Sequence, residues 1–133
     1  MDRNVAIIGA SGAIGNAFVE HYSNDQSIKN VFAFSRKKQS YENKKIQSFD
    51  LDIENQESIR DAAEEVKDNR LNQIIIATGI LHSESFGPEK SIKDINHDSM
   101  TKVMSVNMIG PSLVGRYFIP LLTKDTKLSL IHI

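Results

Sequence analysis

The sequence predicts an α/β fold, an open doubly wound parallel sheet with helices on both faces, and three observations predict it. Apolar runs recur at Val5 to Ile8, Val31 to Phe34, Ile46 to Phe49, Ile74 to Ala77 and Leu128 to Ile133, with intervals long enough for helices between most of them. The runs are nearly continuous, as in Ile74 to Ile76, which is the habit of parallel strands covered on both faces. Directly after the first run stand three glycines at three-residue spacing, Gly9, Gly12 and Gly15. The expected strand order is 3-2-1-4-5.

The first strand leaves through Gly9-Ala-Ser-Gly-Ala-Ile-Gly15 into a helix whose apolar stripe is Ile14, Phe18 and Tyr22. In such a turn Gly9 permits the sharp exit, Gly12 lets the backbone approach a pyrophosphate, and Gly15 lets helix and strand pack closely. The helix N-terminus presents free amides and the positive end of its dipole to the phosphates, and Ser11 adds a hydroxyl. A turn that merely needs flexible residues is the plainer alternative, but the position at the head of an alternating chain favours a Rossmann-type dinucleotide site. Gly9, Ser11, Gly12, Ala13, Ile14 and Gly15 are its candidate cofactor-binding residues.

The second strand ends in Ser35-Arg36-Lys37-Lys38, without a carboxylate. An acidic side chain there would accept from the ribose hydroxyls of NAD, whereas an arginine tolerates a 2′-phosphate. Arg36 offers the planar fork, Ser35 and Lys37 are supporting donors, and NADP is favoured over NAD. The competing reading is a solvated basic run.

Further on, Ile59, Ala62, Ala63 and Val66 follow at i, i+3, i+4 and i+7, with charged residues opposite, as expected of a helix packed on a sheet. A longer helix is expected to open near Asp98 or Ser99, either of which can cap it, and to run through Met100, Val103, Met104 and Met108 to Leu121, kinked or broken at Pro111. Residues 82–97 read as a loop with one short helical turn.

Composition narrows the function. Lys and Arg number 16 against 17 Asp and Glu, which gives no electrostatic footprint for nucleic acid or an anionic membrane. The expected partner is a small molecule. No run reaches the ~18 apolar residues of a membrane span, and no signal peptide or anchor is visible. The chain has no cysteine, so disulfides and thiolate chemistry are excluded and a cytoplasmic address is expected. His21, His82, His97 and His132 have no partner at metal-ligand spacing, and no metal is expected.

Together with Asp52-Ile-Glu-Asn-Gln-Glu-Ser-Ile59, Gly79-Ile-Leu81, Gly87-Pro-Glu-Lys90 and Val106-Asn-Met-Ile-Gly-Pro111, the glycine turn and Phe34-Ser-Arg36 resemble the short-chain dehydrogenase/reductase family. The resemblance covers the whole chain and points to the carbonyl-reductase-like branch that includes the C-factor cell-signalling proteins. It implies an NADP-dependent oxidoreductase acting on a small-molecule carbonyl/alcohol pair, in a homodimer or homotetramer formed through the long helix. It makes Asp52 the carboxylate near the adenine amino group, with Ile53 beside the ring; Asp50 is the competing candidate. Where the family usually has Asn-Asn-Ala-Gly after the fourth strand, this chain has Ile76-Ala-Thr-Gly79. Ala77, Thr78 and Gly79 keep their backbone against the cofactor, while Ile76 replaces an asparagine that helps hold the central strands. Asn107 corresponds to the asparagine of the catalytic tetrad, which organises a proton-relay water.

The resemblance also requires a serine and a Tyr-x-x-x-Lys pair after the fifth strand. The one such string, Tyr41-Glu-Asn-Lys-Lys45, stands between the second and third strands and reads as a coincidence. Residues 1–133 are therefore expected to be the NADP-binding N-terminal part of such an enzyme, truncated after the fifth strand and inactive alone. The alternative is a naturally short, non-catalytic dinucleotide-binding or C-factor-like signalling protein.

Overall fold

The computed structural model describes residues 2–124 and 130–132, the last three by their backbone. Five parallel strands stand in the order β3-β2-β1-β4-β5: β1 (Arg3–Ile8), β2 (Ile28–Ser35), β3 (Ile46–Asp50), β4 (Gln73–Ile76) and β5 (Leu130–His132). This is the expected sheet, a Rossmann-like α/β fold. The fifth strand was expected over residues 128–133; residues 128, 129 and 133 and the His132 side chain lie outside the described part.

Alternation along the strands sends side chains to opposite faces. Ala6, Ile8, Phe32, Phe34, Ile74 and Ile76 pack on one face beneath α2 (Gln56–Glu65) and α4 (Gly110–Phe118). Val5, Ile7, Val31, Ala33 and Ile75 pack on the other beneath α1 (Ala13–Ser23). Both faces are covered, which is why the runs lack polar positions. Ile76, standing where the family's asparagine would be, is fully buried in the first of these clusters. The strand there is held by backbone pairing to β1, continued by Ala77 N donating to Ile8 O at 2.8 Å.

Three expectations about helices need correction. Ile14 does not join the buried stripe of α1: it is 48% exposed, and the helix buries Gly15 and Val19, with Phe18 and Tyr22 partly covered. The long helix opens close to the expected position, as α3 (His97–Met104), but its cap is neither Asp98 nor Ser99: the Asn96 side chain accepts from Ser99 N at 3.0 Å. Its methionine stripe is not core: Met100, Met104 and Met108 are 47%, 42% and 50% exposed. Val106, Gly110, Pro111, Val114 and Phe118 face the sheet instead. The change of face comes from a π-helical turn over Ser105–Ile109, which inserts a residue and rotates everything after it. Pro111 explains the turn, since its ring would strike the Asn107 carbonyl in an unbroken α-helix. The expected kink is thus a wider turn placed ahead of the proline. Residues 82–96 form a loop with one 3-10 turn at Ile92–Asp94, as expected.

Among the described residues no helix is long and apolar enough to cross a membrane.

Candidate functional site

The chain leaves β1 bent across the end of β2: Gly9 N and Ala10 N both donate to Phe34 O, at 2.9 and 3.0 Å. Gly9 has φ 89°, and a Cβ there would stand 2.8 Å from Ala77 O. A Cβ on Gly15 would stand 1.9 Å from Gly9 O, so the helix rests on the strand's last peptide. Gly12 differs from both. Its backbone (φ −73°, ψ 165°) suits any residue, and the nearest atom to a Cβ would be 3.6 Å away. The protein's own packing requires Gly9 and Gly15 but not Gly12, whose bare backbone is open to an approaching ligand.

Gly12 is also the N-cap of α1. No side chain caps the helix and no acid stands in its first turn, so its leading amides face outward with the positive dipole end. These features open into a cleft of about 230 Å³ along the C-terminal edge of the sheet. The first turn contributes Gly9, Ser11 and Gly12; Ser35 comes from the end of β2 and Arg36 from the residue after it; the loop after β3 contributes Leu51, Ile53 and Glu54. Ala77, Thr78, Gly79 and Ile80 follow from the end of β4, and Lys102 and Val106 close it from the long helix. Ligand sites in open α/β sheets lie at this edge.

Arg36 stands on the cleft wall and has no ion-pair partner among the described residues. Ser35 lines the cleft as well, but it is 4% exposed and its hydroxyl donates to Lys37 O at 2.8 Å, so its proton is held inside the turn. The Lys37 side chain is not part of the wall. Lys38 N donates to Asp50 Oδ1 at 2.8 Å, which commits the Asp50 carboxylate to pinning the basic segment. Asp52, the other candidate, does not line the cleft: its Oδ1 accepts from Glu54 N at 3.0 Å in a local turn, and its own N donates to Ser58 Oγ at 2.8 Å. Ile53 and Glu54 flank the space instead. Ala13 and Ile14 are exposed in the first turn of α1, beside the wall rather than in it, and Gly15 is buried beneath them. Thr78 Oγ1 is buried without a hydrogen-bond partner, a condition that costs about 1–3 kcal/mol and that a bound polar group would relieve.

Asn107 holds the far end of this wall. Its Oδ1 accepts from Ile80 N at 2.8 Å and its Nδ2 donates to Ile80 O at 2.7 Å, a two-bond clamp from the helix to the chain leaving β4. The side chain is therefore occupied. Its backbone carbonyl, by contrast, lacks the ordinary i+4 donor, because that residue is Pro111. Asn107→Leu is expected to orphan both Ile80 backbone groups and lower stability by about 1–3 kcal/mol in a urea titration; an unchanged midpoint would show that the clamp carries no load.

Tyr41 and Lys45 lie elsewhere. Tyr41 packs against the cluster beneath α1, on the sheet face opposite Asn107, and partial burial holds its phenol above the usual range. Lys45 Nζ donates to Asp25 O at 2.9 Å. A catalytic tyrosine needs the reverse shift and a lysine beside it. Among the described residues no group of three His, Asp or Glu is placed to hold a metal ion.

Sequence reasoning missed Glu54 and Lys102 as cleft residues. They are 48 positions apart; Glu54 lies within the Asp52–Ile59 segment, where Asp52 drew the assignment, and Lys102 belongs to no motif. Only the packing of the long helix against the loop after β3 brings them together.

The sheet order and the glycine turn define an α/β domain of the Rossmann type. The chain belongs to the short chain dehydrogenase family, whose model matches residues 3–133. Comparison with curated proteins gives no match. Among solved structures the chain is similar to a short chain dehydrogenase family protein from Francisella tularensis, with TM-score 0.81 and 22% identity over 98% of this chain and 50% of that one. It is similar to NADPH-bound carbonyl reductase from chicken fatty liver, with TM-score 0.75 and 25% identity over 90% of this chain and 51% of that one. A third likeness is to a chain from Burkholderia multivorans classed with the short-chain dehydrogenases/reductases and holding NADP, with TM-score 0.80 and 16% identity over 98% and 58%. The chain thus spans about half the length of the solved structures it resembles.

Proposed function

We propose that this chain supplies the cofactor half of an NADP-dependent oxidoreductase that interconverts a small-molecule carbonyl and its alcohol. The observation that carries the proposal is the pairing, in one cleft, of a glycine the fold does not need, Gly12, with an arginine that has no ion-pair partner among the described residues, Arg36. Gly12 and the uncapped α1 N-terminus hold the pyrophosphate, and Arg36 meets the 2′-phosphate. Ser11, Ala13 and Ile14 border the pyrophosphate, with Gly9 and Gly15 shaping the turn. Ile53 covers the adenine, and Ala77, Thr78 and Gly79 pass beneath the dinucleotide, with the buried Thr78 hydroxyl available to a polar ligand atom. The likeness to an NADPH-bound carbonyl reductase at 25% identity supports the carbonyl-reductase-like branch, to which the C-factor proteins also belong.

When bound, the nicotinamide carries the hydride that passes to or from the carbonyl carbon. The protein must supply the matching proton to the oxygen. Asn107 contributes to this path through its backbone carbonyl, to which Pro111 four residues on offers no N–H, as the holder of a relay water. Among the described residues the one Tyr-x-x-x-Lys string, Tyr41 to Lys45, stands on the other face of the sheet and does not supply the family's proton donor to this cleft.

Two results are expected together. A polypeptide of these 133 residues binds NADPH by fluorescence titration but turns over none of it against a panel of aldehydes and ketones. Tyr41→Phe and Lys45→Ala leave NADPH affinity within about twofold, as substitutions outside the ligand's contacts do. Measurable turnover, abolished by Tyr41→Phe, would overturn the assignment.

A further inference from the structure

Thr78 lines the cleft just beyond the end of β4, and its Oγ1 is buried with no hydrogen-bond partner. The other such atom among the described residues, Ser48 Oγ, lies on β3 and outside the cleft. The chain around Thr78 is pinned on both sides, so its backbone is not free to shift and find the hydroxyl a partner. Ala77 N donates to Ile8 O at 2.8 Å, and Asn107 holds both Ile80 backbone groups, at 2.8 and 2.7 Å.

Packing does not ask for a hydroxyl at this position. A Cβ on Gly9 would stand 2.9 Å from Thr78 Cγ2, so the methyl is what fills the space against the glycine turn. Valine has the same branched shape and keeps that contact without burying a polar atom. The hydroxyl therefore costs the free protein stability that a methyl in its place does not. The family's Asn-Asn-Ala-Gly has alanine here, which offers no side-chain hydrogen bond, whereas this chain carries an alcohol at the wall of its cleft.

We propose that the Thr78 hydroxyl is a side-chain contact of the dinucleotide, donating to a pyrophosphate oxygen, so that ligand binding satisfies a group the free protein leaves unpaired. The proposal rests on the dinucleotide reading of the cleft. The methyl beside Gly9 fixes Thr78 against the glycine turn, where the bare Gly12 backbone and the uncapped N-terminus of α1 favour phosphate. Strand β1 stands between β2 and β4, which sets Thr78 apart from Arg36 and the 2′-phosphate end. Because Oγ1 is enclosed in the free protein, the hydroxyl reaches the ligand by a turn about χ1 from one staggered position to another, with the pinned backbone unmoved. Thr78 is thus a binding residue separate from the backbone contacts of the turn.

The test measures Tm without ligand, and Kd for NADPH and for adenosine 2′-phosphate, in wild type, Thr78→Val and Thr78→Ser. Free Thr78→Val is expected to melt about 3 °C or more above wild type, because the unpaired hydroxyl is gone. It should bind NADPH about tenfold more weakly, the worth of a hydrogen bond to a charged oxygen, and adenosine 2′-phosphate, which has no pyrophosphate, within about twofold of wild type. Thr78→Ser keeps the hydroxyl and should hold NADPH within about threefold. Unchanged NADPH affinity in Thr78→Val overturns the proposal alone. So does equal weakening of both ligands, which would make Thr78 a support of the cleft, and so does a lower Tm of free Thr78→Val, which would give the hydroxyl an enclosed water as partner. Binding of neither ligand by the wild type removes the dinucleotide reading and this proposal with it.

Discussion

Arg36→Asp is expected to raise the Kd for NADPH by about 100-fold while NADH affinity holds or improves several-fold, reversing the cofactor preference. The guanidinium is the one basic group shown on the cleft wall at the end of β2, with Lys37 outside the wall and the Ser35 proton spent on Lys37 O. Charge-assisted hydrogen bonds to a phosphate contribute about 1.5–3 kcal/mol, and each 1.4 kcal/mol is tenfold in affinity. The substitution removes them and adds a negative charge facing the 2′-phosphate. The same carboxylate accepts from the ribose hydroxyls of NADH, which accounts for the opposite sign there. Competitive titration with both nucleotides measures the effect, and an unchanged ratio of the two affinities would contradict the assignment of NADP. Because Arg36 is exposed, the wild-type preference for NADPH should also decline as salt rises.

Gly15→Ala and Gly12→Ala should separate folding from binding. At Gly15 the new Cβ meets Gly9 O at 1.9 Å, Gly9 C at 2.7 Å and Ala10 Cα at 3.0 Å, all of them backbone. Nothing there can swing aside, so α1 must lift from β1 and the packing of Val19 onto the sheet is disturbed. The expected cost is about 3 kcal/mol or more, with Tm lower by on the order of 10 °C. At Gly12 the nearest atom is 3.6 Å away, and the change costs folding only a few tenths to about 1 kcal/mol as a poorer N-cap. Nucleotide binding should nevertheless fall by about tenfold or more, because the methyl occupies the space a pyrophosphate needs. Calorimetry and NADPH titration on the two variants check this. A stable Gly15→Ala, or a Gly12→Ala that binds as wild type does, would each contradict one half.

The features legible in the sequence are those in which a local pattern has one structural solution. Continuous apolar strands such as Val31 to Phe34 need cover on two faces, and the parallel sheet provides it. Three glycines after a strand name their own turn. The Pro111 irregularity was legible too, though not its form as a π-turn, because a proline's clash with the carbonyl four residues back can be relieved by a kink, a break or a wider turn. The meeting of Gly110 with Ile53 decides which face of the long helix is buried. It leaves Met100, Met104 and Met108 exposed although their spacing reads as core.

The cleft divides in the same way. Gly9, Gly12, Arg36 and Asn107 could be found by position along the chain, because each follows a strand or stands in a motif. Asp52 could not be separated from Asp50 by sequence, since each stands close to the end of the third strand; the loop's path shows Asp50 holding Lys38 N, Asp52 accepting from Glu54 N, and Glu54 lining the cleft. By itself, then, the sequence determined the strands, their expected order and the glycine turn, all of which follow from periodicity and from backbone freedom within a few residues. The tertiary structure alone decided the carboxylate on the cleft wall, its partner Lys102 and the buried face of the long helix. Those depend on contacts between residues some 50 positions apart, where the chain's path through space, not its local chemistry, sets which atoms meet.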